Sequence, residues 1–245
     1  MLKKVNTCLL IINKNPRFHI EDNSFKFTMG GYTIERTKSY KYLGLIVDEK
    51  FSWSDHISNL CTKLSQVAGV LFRIRNLLTK QAMMLVYHGL VGSKLRYGLV
   101  CWATANKFLL NKVNVAHNTI ITYLTFQKRC TRIWPLYCKL KVLPLDILIQ
   151  IEFGKTMYKF QKGLLPPVFD TYFSKPSHRY NTRFSSQNNL SMLRINTAQD
   201  KSRLRYIGPT VWLKIQPNIR EAPSLKVFIS LYRNYLIGHY PTSSD

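Results

Sequence analysis

The chain has 245 residues, 46% hydrophobic and 13% aromatic, which supplies the core of one large or two small domains and argues for a folded rather than a disordered protein. Its 36 lysines and arginines face only 12 acidic residues, a formal charge of +24 that repels itself unless a polyanion is at hand. Nucleic acid is the expected partner, with an anionic membrane surface as the rival and a bare compositional bias toward lysine as the third reading.

No stretch has the apolar length of a membrane span, and the run Cys8 to Ile12 is too short for the core of a signal peptide. Cys8, Cys61, Cys101, Cys130 and Cys138 are odd in number and lack close pairing. That pattern predicts a reduced intracellular compartment, nucleus or cytoplasm, rather than a disulfide framework. Cys130 and Cys138 with His117 lack the short ligand spacings of a zinc site, so no metal is expected there.

In chain order, Val5 to Asn13 reads as a buried strand. Phe25, Phe27 and Met29 alternate with polar residues, Gly30-Gly31 offers a two-residue turn, and Tyr32 and Ile34 alternate after it, which is a hairpin signal. Tyr40 to Val47 reads as one further strand, with Gly44 leaving room for a close backbone or ligand. The Asp48-Glu49 turn then leads to a helix start at Ser52 or Ser54, where Ser54 and Asp55 would supply a capping oxygen and a first-turn negative charge.

From there the period changes. Ile57, Leu60, Leu64, Val67, Ala68, Leu71, Ile74, Leu77 and Leu78 recur at three and four residues, a long amphipathic helix. Thr79 caps a second helix through Val91, broken at Gly92-Ser93. Asn106 to Phe126 forms another, burying Leu109, Leu110, Val113, Ile120 and Leu124, and Pro144 opens one that runs to Lys162 and stops at Pro166-Pro167. Ser174 to Asn189 reads as a basic loop, Arg203 to Trp212 as extended with a turn at Gly208-Pro209, and Ser224 to Leu236 as a last amphipathic helix. The fold class is α+β, mainly α, with helix packed on helix in the middle.

Chemistry-bearing patterns are few. Glu21-Asp22 and Asp48-Glu49 read as solvated turn residues, not as the clustered carboxylates that two-metal nucleotidyl transfer requires. No phosphate-binding glycine loop, nucleophile elbow or zinc motif is present, so no catalytic residue and no cofactor are expected in this chain. The cations are better organised. No acid lies between Asp55 and Asp146, a stretch that includes Arg73, Arg75, Lys94, Arg96, Lys128, Arg129 and Arg132. His178, Arg179, Tyr180 and Arg183 form a second basic motif, in which arginine can fork onto phosphate and tyrosine can stack on a base, worth ~1–3 kcal/mol. The same motif also reads as a solvated loop whose tyrosine anchors it to the core. Trp53, Trp102, Trp134 and Trp212 read as packing residues.

A resemblance adds to this. Lys41-Tyr42-Leu43-Gly44, followed by Asp48, Trp53 and His56-Ile57, resembles the junction between palm and thumb in reverse transcriptases of non-LTR (LINE-type, jockey-like) retrotransposons. Tyr87, Leu95, Tyr97-Gly98 and Trp102 follow in the family's order, then Leu143-Pro144-Leu145, Lys159, Gly163 and Pro166, then His178 to Arg183. Gly208-Pro209, Trp212, Pro217, Ile219-Arg220, Ala222-Pro223-Ser224-Leu225 and Phe228 complete the series across nearly the whole chain.

The resemblance implies the C-terminal third of such an open reading frame: a palm remnant and primer-grip hairpin over 1–51, a helical thumb over 52–165 and a small basic C-terminal domain over 166–245. It makes Lys41, Tyr42, Leu43 and Gly44 the primer grip, and RNA or an RNA–DNA hybrid the partner. The family's paired aspartates after an aromatic residue would lie upstream of Met1, as would the endonuclease domain, so the chain reads as a truncated copy whose parent uses magnesium. Val113 to Thr125 has lost most of the basic residues of the family's corresponding helix, and Ile229 replaces a usually basic one. A non-enzymatic RNA-binding module, a membrane-surface protein and a non-functional relic of a mobile element stay open as alternatives.

Overall fold

The computed structural model describes residues 8–10, 27–29, 32–128, 131–173 and 203–240. Two small sheets precede a helical body. In the first, β1 (Cys8–Leu9) runs parallel to β3 (Tyr32–Arg36), which pairs antiparallel with β2 (Phe27–Met29). Met29 faces Tyr32, and Gly30 and Gly31, where the sequence predicts a two-residue turn, lie outside the described residues.

The second sheet corrects the single strand expected over Tyr40 to Val47. The segment folds back on itself as a hairpin, β4 (Ser39–Tyr42) against β5 (Leu45–Asp48), with Tyr42 opposite Leu45. Leu43 and Gly44 form the turn at φ 45 and φ 84. Two successive positive φ values match the right-handed twist of the flanking strands, and glycine takes the larger one without strain.

The junction after β5 is built by Asp48, which is buried and not the solvated turn residue the sequence predicts. One carboxylate oxygen accepts from the backbone N–H of Lys50 (3.0 Å) and Ser52 (2.9 Å), the other from Trp53 N–H (2.8 Å). Glu49 pairs with Arg36 at 3.3 Å. The expected Ser54 cap is absent, since Ser54 already lies in the first turn of α1 (Ser54–Ile74) and its hydroxyl donates to Asp55. Asp48 does the organising instead, holding the chain through Trp53, whose φ of 65 is left-handed.

α1 buries Ile57, Leu60, Leu64, Ala68 and Leu71, the predicted stripe, and ends three residues before the exposed Leu77. Thr79 caps α2 (Lys80–Tyr87) by accepting from Ala82 N–H at 3.2 Å. The break expected at Gly92-Ser93 is absent. The chain passes through a π-helical turn, His88–Gly92, straight into α3 (Ser93–Arg96), with Gly92 and Ser93 both in right-handed helical conformation. The break falls at Gly98, whose φ of 58 reverses the chain before α4 (Leu99–Trp102).

Asn106 caps α5 (Lys107–Leu124), accepting from Leu109 N–H at 2.8 Å. α6 (Ile133–Leu140) and α7 (Leu145–Gln161) come next, the latter starting behind Pro144, and α8 (Val168–Tyr172) is a single short turn. Arg203 to Trp212 is not extended: α9 (Leu204–Lys214) contains Pro209 in its interior. A proline there loses a backbone hydrogen bond and crowds the preceding turn. Burial of Gly208, Pro209 and Trp212 against α7 outweighs it. α10 (Pro217–Arg220) and α11 (Leu225–Gly238) complete the chain, α11 capped by Ser224, which accepts from Val227 N–H at 3.3 Å.

α1 lies along α5, and α7 packs against α9 and α11 and also touches α4 and α5. Trp102, Tyr137, Phe153, Tyr158, Trp212 and Phe228 fill the interior, and Tyr158 Oη donates to Ala222 O at 2.8 Å. Trp53 is buried too, and Trp134 is half-buried, stacked on Tyr240 at 4.1 Å. No helix among the described residues is long and apolar enough to cross a membrane.

Candidate nucleic-acid interface

A close docking against Tyr97 and Gly98 helps fix the β4–β5 hairpin to the helical body. Tyr97 Oη donates to Leu43 O, and its ring lies against Gly44, where an added Cβ would stand 3.1 Å from the ring. One residue on, Gly98 receives Leu45, whose methyl would be 2.8 Å from a Cβ at that position. Trp102 Nε1 donates to Tyr97 O at 3.0 Å and so holds the tyrosine from behind. The Tyr97-Gly98 pair is thus shaped to receive the Leu43-Gly44-Leu45 turn.

This docking leaves a cleft of about 270 Å³ between the hairpin, the first three turns of α1 and the start of α3. Lys41 enters it from β4, His56, Asn59 and Lys63 from α1, and Ser93, Lys94 and Tyr97 from the other side. The π-helical turn sets this last group. Ser93 Oγ donates to Gly89 O, and Lys94 Nζ donates to Leu90 O at 3.1 Å. Three lysines therefore line one cleft with no acidic residue among its lining residues.

His56 forms part of the wall as a neutral acceptor: Ile46 N–H donates to Nδ1 at 3.3 Å. Burial, then the neighbouring Lys63, push its pKa below the ordinary histidine value. At the tip of the hairpin, Tyr42 and Leu43 stand 64% and 73% exposed, apolar surface next in sequence to Lys41 and Gly44 of the cleft. The arrangement suits a phosphate chain in the cleft with a base or sugar against the tip.

Of the residues that the sequence points to, Lys41, Gly44 and Lys94 line this cleft, while Tyr42 and Leu43 are exposed in the hairpin and outside its lining. Arg73, Arg96, Lys128 and Arg132 are exposed and stand apart from its lining. Arg75 is committed to packing: its guanidinium lies over Phe72 (4.2 Å) and Phe126 (4.6 Å) and donates to Tyr123 O at 3.2 Å. Arg129, His178, Arg179, Tyr180 and Arg183 lie outside the described residues. Asn59, Lys63 and Ser93 join the cleft without a sequence motif to mark them. For the first two a signal exists in the helical spacing 56, 59 and 63, which places His56, Asn59 and Lys63 along one flank of α1.

The fully buried histidine of the molecule's described residues is structural. His117, fully buried in α5, has Tyr87 Oη 2.8 Å from Nε2 and Tyr137 Oη 3.1 Å from Nδ1. Both ring nitrogens are taken, and Cys138, its neighbour in the zinc pattern weighed from sequence, is exposed.

Part of the chain is similar to a mobile-element polymerase. Over 92 residues it is 32% identical to the RNA-directed DNA polymerase from mobile element jockey of Drosophila melanogaster. The match spans 36% of this chain and 10% of that polymerase, so the chain carries a reverse-transcriptase-related region and covers only a small fraction of the relative's length. No protein-family model and no solved structure matches the chain.

Proposed function

We propose that the chain is a C-terminal portion of a non-LTR, jockey-like reverse transcriptase that grips RNA or an RNA–DNA primer–template and does not polymerise on its own. In this reading β4–β5 is the primer grip, the helices from α1 onward are the thumb, and 166–245 is a basic C-terminal domain. Magnesium and the aspartates that hold it belong to the rest of the parent polymerase. The observation that carries the reading is the cleft where Lys41, Lys63 and Lys94 converge beside an exposed hairpin tip. The similarity to the jockey polymerase supplies the kind of nucleic acid.

The acids support the noncatalytic half. Asp48 spends its oxygens on three backbone N–H groups, Glu49 pairs with Arg36 and Glu152 with Lys155, so none of these stands ready for a metal. Fluorescence anisotropy with a labelled RNA–DNA hybrid tests binding, and a primer-extension assay with magnesium tests catalysis. Saturable hybrid binding that Lys41→Ala and Lys63→Ala weaken, with no extension above a mock preparation, is the expected result. Binding indifferent to both substitutions would remove the cleft from the proposal, and metal-dependent nucleotide incorporation would remove the noncatalytic claim.

A further inference from the structure

The lysines of the cleft account for phosphate, but two hydroxyls that line it do not. Ser93 Oγ donates to Gly89 O, and Tyr97 Oη donates to Leu43 O. A hydroxyl has a single proton and a carbonyl oxygen only accepts, so both protons are spent inside the chain. What each oxygen offers a ligand is lone pairs. Phosphate oxygens carry lone pairs too, so Ser93 or Tyr97 would have to release its carbonyl before binding one.

Around these acceptors the cleft is rich in donors. Lys94 spends one of its three protons on Leu90 O and keeps two. His56 Nδ1 accepts from Ile46 N–H, which puts the proton of the neutral ring on Nε2. An acceptor-only oxygen in a cationic cleft selects a ligand that carries a hydroxyl as well as an anion. Ser93 adjoins Lys94 in α3 and both line the cleft, so acceptor and cation are neighbours. In RNA a 2′-hydroxyl neighbours each phosphate in the same way, and DNA lacks it. The 2′-hydroxyls of an A-form duplex line its wide, shallow minor groove, within reach of side chains. The π-helical turn His88–Gly92 delivers the pair: Ser93 N–H closes it on His88 O, and such turns recur at functional sites. Ser93 is exposed, so its oxygen is reachable.

We propose that Ser93 reads the sugar of the bound strand, its Oγ accepting from a 2′-hydroxyl while the adjoining phosphates lie on Lys41, Lys63 and Lys94. This rests on the hybrid-binding reading and narrows it, because in an RNA–DNA hybrid only the RNA strand can make that bond. The cleft therefore holds the duplex by its RNA strand and not by its DNA strand.

Two labelled hybrids test this with the full chain, one RNA–DNA and one in which fluorine replaces every 2′-hydroxyl of the RNA strand. Fluorine keeps the phosphates and the ribose-like pucker and removes the donor. The unaltered chain is expected to bind the fluoro hybrid about fivefold more weakly, the loss of one hydrogen bond. Ser93→Ala is expected to bind the two hybrids within about twofold of each other, with the salt slope of the parent chain, since no phosphate contact is lost. Ser93→Thr keeps a hydroxyl that can bond the same carbonyl and is expected to restore the preference.

Equal binding of the two hybrids by the unaltered chain overturns the inference, whether or not any variant folds. The hybrid-binding reading survives that result if Lys41→Ala and Lys63→Ala still weaken both hybrids. A preference that persists in folded Ser93→Ala places the sugar contact elsewhere, and a shallower salt slope there makes Ser93 a phosphate ligand; either overturns the inference. So does displacement of the hybrid by a free ribonucleoside monophosphate as readily as by unlabelled RNA, because the ligand is then not a strand. Hybrid binding indifferent to the lysine substitutions removes the cleft itself, and this inference with it.

Discussion

A single buried polar atom commits its neighbours, and His117 is the clearest case in this molecule. Tyr137 Oη donates to Asn118 Oδ1 at 2.7 Å, so it accepts from Nδ1–H of His117, which leaves Nε2 to accept from Tyr87. Three helices, α2, α5 and α6, thereby share one satisfied network. Burial pushes the His117 pKa down to about 3, because an imidazolium there would lose its hydration and have to turn an acceptor into a donor. The unfolded chain binds that proton near pH 6.5, so between about 6.5 and 3 it holds more protons than the folded chain. Stability is therefore complete above pH 6.5 and falls with acidification, by at most about 1.4 kcal/mol per unit. Urea denaturation from pH 7 to pH 4 checks this. His117→Gln is expected to be less stable at neutral pH and to show a flatter dependence on pH; an unchanged slope would assign the acid sensitivity elsewhere.

At the scale of elements, what was legible in the sequence is what local physics alone decides. The capping oxygens of Thr79, Asn106 and Ser224 act within three residues of themselves, and each helix begins where its cap predicts. The buried stripe of α1 follows from its spacing in the same way. The failures are places where a distant partner decides. Tyr40 to Val47 has the composition of one strand, and the turn at Leu43-Gly44 becomes favourable only with Tyr97 waiting to bind its carbonyl, 54 residues away. Gly208-Pro209 reads as a turn, and the helix through it depends on burial against Met157 of α7. The cleft was half visible: the resemblance points to Lys41 and the acid-free basic stretch to Lys94, but the pairing of Lys63 with them needs the hairpin's docking, which no periodicity encodes. The close contact of α7 and α11 gives a prediction of this kind. In Gly154→Ala the new methyl would stand 2.8 Å from Tyr232, a buried ring that also packs on Phe228. The expected loss is about 1–3 kcal/mol of stability despite alanine's better helix propensity, read from the thermal or urea midpoint. A gain in stability would mean that α11 retreats from α7 freely.

At the scale of the whole molecule, charge has to be separated from site. A chain of +24 will adsorb to any polyanion, so affinity alone cannot distinguish a cleft from a diffuse cloud of cations. The salt dependence can. Each phosphate neutralised releases condensed counterions, and log K falls against log salt with a slope of about −0.9 per contact on a duplex. Lys63 and Lys94 face each other across the cleft from separate elements, α1 and α3. Replacing both with alanine is expected to make the slope for an RNA–DNA hybrid shallower by about 1.8, with helical content unchanged by far-ultraviolet circular dichroism. Lys214 and Lys226, exposed on α9 and α11, serve as the matched control, because their removal lowers the net charge equally. If the bound strand follows the cleft, the control slope stays at the value of the parent chain. Equal shifts from the two pairs would mean that the phosphates sense only total charge, and the convergence of Lys41, Lys63 and Lys94 would then be an accident of packing.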